Sequence, residues 1–144
     1  MIKVTSNLGY LISKLHQKSN SHLAVLLKKE GVRDVTPGLG KILFALWQKD
    51  NVNMNQLAAE TQLDKSTMTT MVNRLEKHGL VRRLPDPCDR RATIIQLTEE
   101  SYKRKDIYEK VSEEMNNLLL KGIDQEELAV VARVLGKMLD NLSS

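Results

Sequence analysis

The sequence predicts a mainly α-helical, single-domain protein carrying one small β-hairpin. Three observations carry that expectation. Apolar residues recur at spacings of three and four along most of the 144 residues, the period of a helix with one buried face. Two short stretches, Leu80–Leu84 and Ala92–Leu97, have strand composition, and an Asp- and Pro-rich turn separates them. Aromatic residues are 3% of the chain against 41% apolar, so the core is built from Leu, Val, Ile, Met and Ala.

The elements follow in order. Leu8, Leu11, Ile12, Leu15, Leu23, Leu26 and Leu27 fall on one helical face and predict a first helix to about Lys29, punctuated by Gly31 and Pro37. Thr36 can cap a second helix with Pro37 at its first position, and that helix carries Leu39, Ile42, Leu43, Leu46 and Trp47. Asn53 and Gln56 have the spacing of a capping box for a short third helix. Asp64 can cap a fourth, Lys65–His78, which Gly79 closes. The hairpin comes next. Thr98-Glu99-Glu100 then opens a long fifth helix to about Lys121, Gly122 breaks it, and Asp124 caps a last helix to about Asn141. There is no internal repeat, low-complexity tract or linker.

Composition narrows the function. No apolar run is long enough to span a membrane, and the N-terminus lacks the apolar core and cleavage site of a secretion signal. The single Cys cannot form an internal disulfide, which suits a reducing interior; the expected location is the cytoplasm. Net charge is +4, distributed as +5 over residues 1–33, −1 over 34–63, +3 over 64–97 and −3 over 98–144. That asymmetry suggests a basic face for a polyanion. His16, His22 and His78 lack metal-ligand spacing, and no nucleophile–base pair, paired carboxylates or phosphate-binding glycine loop is present. Neither a metal, a cofactor nor an enzyme activity is expected.

Lys65–His78 is the informative segment. Met68, Met71, Val72 and Leu75 share one side. Opposite them stand Ser66, Thr70, Asn73 and Lys77, with Thr69 at the edge. A merely solvated helix usually mixes Glu and Lys there, which favour helix; short hydroxyls and an amide instead suit the reading of base edges. With the short helix before it, this segment makes a helix-turn-helix whose second helix enters the major groove. The hairpin directly after is then a wing, and Arg90 and Arg91 at its tip suit the negative potential of a narrow minor groove. Asp89 can brace one of those arginines by a charge-assisted bond. The helix N-termini at Asn53 and Asp64 favour phosphate.

"LDKSTMTTMVNRLEKHGLVRR" followed by "DPCDRRATIIQLTEES" resembles the signature of the MarR family of bacterial winged-helix transcription regulators, and the resemblance extends over the whole chain. It implies that Asp89 and Arg91 form the family's wing-tip Asp-x-Arg, with the arginine entering the minor groove. It also implies that Ser66, Thr67, Thr70 and Arg74 meet bases or phosphates. Ser101 departs from the usual Gly, with only a local change of helix contact expected. In this family effectors lodge between the dimer helices and the DNA-binding lobe, so Tyr10, His16, Phe44 and Trp47 are candidates to line an effector pocket; Phe44 and Trp47 otherwise read as core. Some relatives sense peroxides through a cysteine in the first helix, where this chain has none. Cys88 lies in the wing beside Arg90 and Arg91, which favour a thiolate, or is an incidental surface thiol.

The last helix places Leu128, Val131, Leu135, Met138 and Leu142 at alternating spacings of three and four, as a coiled-coil seam does. Tyr108, Val111, Met115 and Leu118 continue the pattern in the helix before. The expected organisation is therefore one winged-helix domain over 1–144, with dimerisation helices at 1–33 and 99–144 flanking a helix-turn-helix and wing lobe at 37–98. A homodimer would set two recognition helices about 34 Å apart on a pseudopalindromic operator. The function expected is a sequence-specific double-stranded DNA-binding regulator, a repressor responsive to a small molecule, with no membrane partner. A winged helix that binds protein instead of DNA is the rival.

Overall fold

The structure, a computed structural model, describes residues 4–143; the outermost residues of the expected 1–144 extent, 1–3 and 144, lie outside the described residues. The order is α1 (Val4–Lys29), α2 (Pro37–Gln48), β1 (Val52–Asn53), α3 (Met54–Thr61), α4 (Lys65–Lys77), β2 (Val81–Pro85), β3 (Thr93–Leu97), α5 (Glu99–Leu119) and α6 (Gln125–Asn141). The mainly α-helical winged arrangement is the one the sequence predicts.

The boundaries have local causes. Gly31, at φ 83°, turns the chain after α1 so that the Val32 N–H reaches the Leu27 carbonyl at 2.9 Å, a conformation that costs glycine little. Thr36 accepts from the Leu39 N–H, with Pro37 at the start of α2. Asn53 and Gln56 complete a reciprocal capping box on α3. Gly79, at φ 73°, ends α4: its N–H bonds the Glu76 carbonyl at 3.0 Å, and the Leu80 N–H bonds that of Leu75 at 2.9 Å, the paired bonds of a Schellman end.

The three strands form an antiparallel sheet ordered β1-β3-β2, with Val52 opposite Ile95 and Arg83 opposite Ile95 on the other side. The two-residue β1 was not expected, because two residues carry no periodicity. Around the sheet, Leu39, Ile42, Leu43, Leu46, Leu57, Met68, Val72, Leu75, Leu80 and Ile95 are each at most 2% exposed.

The core continues past residues 33 and 99. Leu27 of α1 and Tyr108 and Val111 of α5 belong to it, which corrects the expectation that Tyr108 and Val111 stand in a dimer seam. These two side chains are already covered by their own chain. Helix α5 is also fastened by polar contacts. Arg104 bonds Asp34 at 2.7 Å, and Lys110 bonds Glu30 at 2.8 Å. Thr98 donates to the Gly79 carbonyl at 2.6 Å, while the buried Ser101 hydroxyl donates to the Leu80 carbonyl. Ser101 is thus more than a local helix change, since it ties the start of α5 to the end of α4. Helix α6 has no buried residue.

Candidate nucleic-acid interface

Helix α4 is held in place from beneath. Met68, Val72 and Leu75 are 0% exposed, while Ser66, Thr69, Thr70, Asn73, Arg74 and Lys77 are exposed and Thr67 is half-buried. The apolar and polar faces therefore separate as the sequence predicts. Within the polar face, several groups already have partners. The Thr69 hydroxyl donates to the Lys65 carbonyl at 2.8 Å, and that of Thr70 to the Ser66 carbonyl at 3.1 Å. Their donor hydrogens turn inward, leaving oxygen lone pairs and methyl groups outward. The same face can then accept from adenine N6 or cytosine N4 and contact thymine methyls.

Thr67 has a different role. Its backbone N–H and its hydroxyl both bond the Asp64 carboxylate, at 2.7 and 3.0 Å. The backbone bond from Thr67, and then the hydroxyl bond, hold the Asp64 carboxyl below its ordinary pKa. An anion thus occupies the N-terminus of α4, and a phosphate there meets a like charge. This runs against the expectation of a phosphate at Asp64; α3, capped by the neutral Asn53, has no such charge.

The wing tip spans the gap between β2 and β3. The Asp86 carboxylate accepts from the Cys88 N–H at 2.8 Å, and the Asp89 carboxylate from the Arg91 N–H at 2.9 Å. Such side-chain-to-backbone bonds shape turns. Asp89 therefore braces the Arg91 backbone, correcting the expected brace on an arginine side chain. Asp89, Arg90 and Arg91 are all exposed, and among the described residues no ion pair engages either arginine. Cys88 is an exposed free thiol.

Two groups escaped the sequence. Arg83 of β2 donates to the Asn73 side-chain amide oxygen, Oδ1, at 2.5 Å and approaches Glu76 at 3.8 Å. Asp50 accepts from the Leu97 N–H at 2.9 Å and from the Tyr102 hydroxyl at 2.7 Å, joining the end of α2 to β3 and α5. Neither pairing has a local signature, because each joins two different elements, whose mutual placement no single periodicity reveals.

A cavity of about 500 Å³ opens between α1, α2 and α5, lined among others by Phe44, Trp47, Lys41, Lys105, Tyr108 and Glu109. The rings of Trp47 and Tyr108 lie 5.1 Å apart. The Trp47 indole N–H and the Tyr108 hydroxyl are buried without a partner among the described residues, and burial raises the Tyr108 pKa well above the ordinary phenol value. Of the four residues proposed from sequence for an effector pocket, Phe44 and Trp47 line this cavity; Tyr10 and His16 do not. They are exposed in the first half of α1, away from the stretch around Leu23 and Leu27 that borders it. Among the described residues no cluster could hold a metal ion, and no helix is long and apolar enough to cross a membrane.

The sequence pattern of the MarR family matches residues 35–93, the stretch that contains α4 and the wing tip. The HTH-type transcriptional repressor NicR of Pseudomonas putida is 28% identical over 138 residues, covering 96% of this chain and 85% of its own. A variant of MarR from E. coli, solved in complex with operator DNA, superposes with a TM-score of 0.83 at 27% identity, covering 92% of this chain and 93% of that one. Over residues 35–93, the lobe that carries α4 and the wing tip, the chain is similar to the MarR family. A third likeness, at 23% identity, speaks to the MarR fold alone: the PcaV regulator of Streptomyces coelicolor, solved with its natural ligand, superposes with a TM-score of 0.82 over 97% of this chain and 96% of its own.

Proposed function

We infer from family and fold that the chain is a DNA-binding transcription regulator, and we propose that it acts as a homodimeric repressor released by a small ligand. Helix α4 enters the major groove with Ser66, Thr69, Thr70, Asn73, Arg74 and Lys77 facing the duplex, Thr67 holding its cap, and the tip residues Arg90 and Arg91 reaching the adjacent minor groove. The observation that carries this reading is the division of α4: one face buried apart from the half-buried Met71, the other made of short polar groups and cations beside an arginine tip that makes no ion pair among the described residues. The relatives act as regulators, and no step of this reading requires catalysis. Work on chromosomal DNA places the protein in the cytoplasm.

The cavity between α2 and α5 is the ligand site in this proposal. A planar molecule with an acceptor group would satisfy the unpartnered Trp47 and Tyr108 donors, a pairing that removes the cost of leaving them buried and unbonded. Trp47 is the only tryptophan in the chain, so its fluorescence reports occupancy directly.

The test is binding to DNA selected from a random pool, followed by fluorescence anisotropy. A pseudopalindrome should be recovered, with affinity falling steeply as salt rises because bound cations are released from the phosphates. Affinity that is flat with salt, or no recovered sequence, would sink the proposal.

A further inference from the structure

Asn73 projects from the outward face of α4. A free asparagine amide both donates and accepts, and it pairs bidentately with adenine by accepting from N6–H and donating to N7. In this chain the accepting half is already engaged, because Arg83 Nη2 donates to Asn73 Oδ1 at 2.5 Å. The two N–H donors remain free for DNA, while one lone pair of Oδ1 is taken and a cation stands beside the other. They match guanine N7 and O6 or thymine O4; adenine offers them N7 alone, beside an N6–H that the guanidinium on Oδ1 repels, and the N4–H donors of cytosine oppose them.

Arg83 is well placed to hold that arrangement. It sits in β2 opposite the buried Ile95, and its Nε is buried without a partner among the described residues, so the guanidinium leaves the sheet on a fixed stem. Its other nitrogen, Nη1, lies 3.8 Å from Glu76, one turn along α4 from Asn73. The fork therefore straddles two side chains of the recognition helix, and the Glu76 charge offsets its own. Both effects keep it from serving as a phosphate clamp.

We propose that Arg83 is a positioning residue for sequence reading: by holding Asn73 Oδ1 and placing a cation there it makes Asn73 act as a donor, so the operator carries guanine or thymine in preference to adenine at the base Asn73 meets. The proposal rests on the reading of α4 as the recognition helix.

The experiment is selection of DNA from a random pool by the full-length wild-type protein, Asn73→Ala, Arg83→Met and Arg83→Lys. Asn73→Ala identifies the operator position at issue by erasing its preference. Wild type should enrich guanine or thymine there. Arg83→Met, which keeps the stem and removes the donors, should shift preference toward adenine by roughly tenfold, with an unchanged salt slope. Arg83→Lys, which keeps a donor, should retain the wild-type base. If Arg83→Met fails to fold by circular dichroism, Arg83→Gln, too short to reach Asn73, takes its place. The wild-type base is a test on its own, whatever the variants do.

Adenine or cytosine in the wild-type motif, or the same base with and without Arg83, overturns the proposal. So does an equal loss on all sequences with the salt slope reduced by about one, which marks a phosphate contact. If Asn73→Ala erases no position while wild type still selects a motif, this inference fails and the proposed function stands. If wild type selects no motif, both fail.

Discussion

Helices α4 and α6 are both amphipathic, yet they end in opposite circumstances. In the apolar row of α4, Met68, Val72 and Leu75 are buried and Met71 half-buried within the chain, whereas α6 has no buried residue. Val130, Val131, Leu135 and Leu139 are between 43% and 55% exposed, and Leu142 is 85% exposed. Leu11, Ile12 and Leu15 of α1 are similarly bare, at 45–53%. Soluble monomers rarely leave apolar surface of this extent uncovered. The lobe around α4 is finished by its own chain, while the exposed face of α6 is the surface that a second chain would cover in the proposed homodimer.

The sharpest break of that contrast is removal of α6. Deleting residues 123–144, or replacing Val131 and Met138 by Asp, should yield monomers or aggregates. Operator affinity should fall by about a hundredfold or more, since each half-site must then be bound alone. Sedimentation and anisotropy check both. A well-folded monomer that still binds the full palindrome tightly would contradict the assignment of α6.

The converse break is inside the lobe. Leu75→Ala removes a side chain that is 0% exposed beneath the recognition face and should cost about 2–5 kcal/mol of folding stability, read by urea denaturation at fixed protein concentration. Leu139→Ala, on bare α6, should cost less and make the midpoint more dependent on concentration. Equal losses at the two sites would erase the distinction between a surface covered by its own chain and one covered by a partner.

This comparison also explains what was legible in the sequence. The caps at Thr36, Asn53, Asp64, Thr98 and Asp124 and the turns at Gly31, Gly79 and Gly122 depend on residues within one turn of each other, so the string of letters contains them. The division of α4 into two faces is likewise local. Less legible was which apolar row meets which partner. Tyr108 and Val111 share the spacing of the α6 seam, but burial in their own chain is decided by α1 and α2, elements far earlier in the sequence. Periodicity says that a face is apolar and says nothing of what covers it. The same limit hid Arg83–Asn73 and misplaced Tyr10 and His16, whose position depends on where α1 runs relative to the cavity.

A smaller effect separates function from stability at the wing. Arg91→Ala should cost about 1–3 kcal/mol of DNA affinity and leave the melting temperature nearly unchanged, because the side chain is exposed and makes no ion pair among the described residues. Operator binding equal to wild type would remove Arg91 from the interface. A matching loss of stability would point to a structural role for the side chain itself, since the substitution preserves the Arg91 N–H bond to Asp89.

The smallest expected effect lies at the joint between the two regions. Asp34, in the loop before α2, accepts from Arg104 of α5 at 2.7 Å. That hydrogen bond, with the guanidinium charge, outweighs desolvation and holds the Asp34 pKa below its ordinary value. A carboxylate depressed in the folded state binds its proton more readily when unfolded. Its contribution is therefore complete above the unfolded pKa of about 3.9 and is lost as pH falls through the lower folded value. The pair is partly solvated, with side chains 21% and 30% exposed, so its worth is about 0.5–1 kcal/mol after screening. Asp34→Asn should lower stability by that amount at pH 7, and urea denaturation should show the gap to wild type narrowing as pH is taken below about 4. A gap that persists undiminished under acid would mean that Asp34 acts through shape or through its neutral hydrogen bonds. The joint between α5 and the lobe would then owe nothing to this charge.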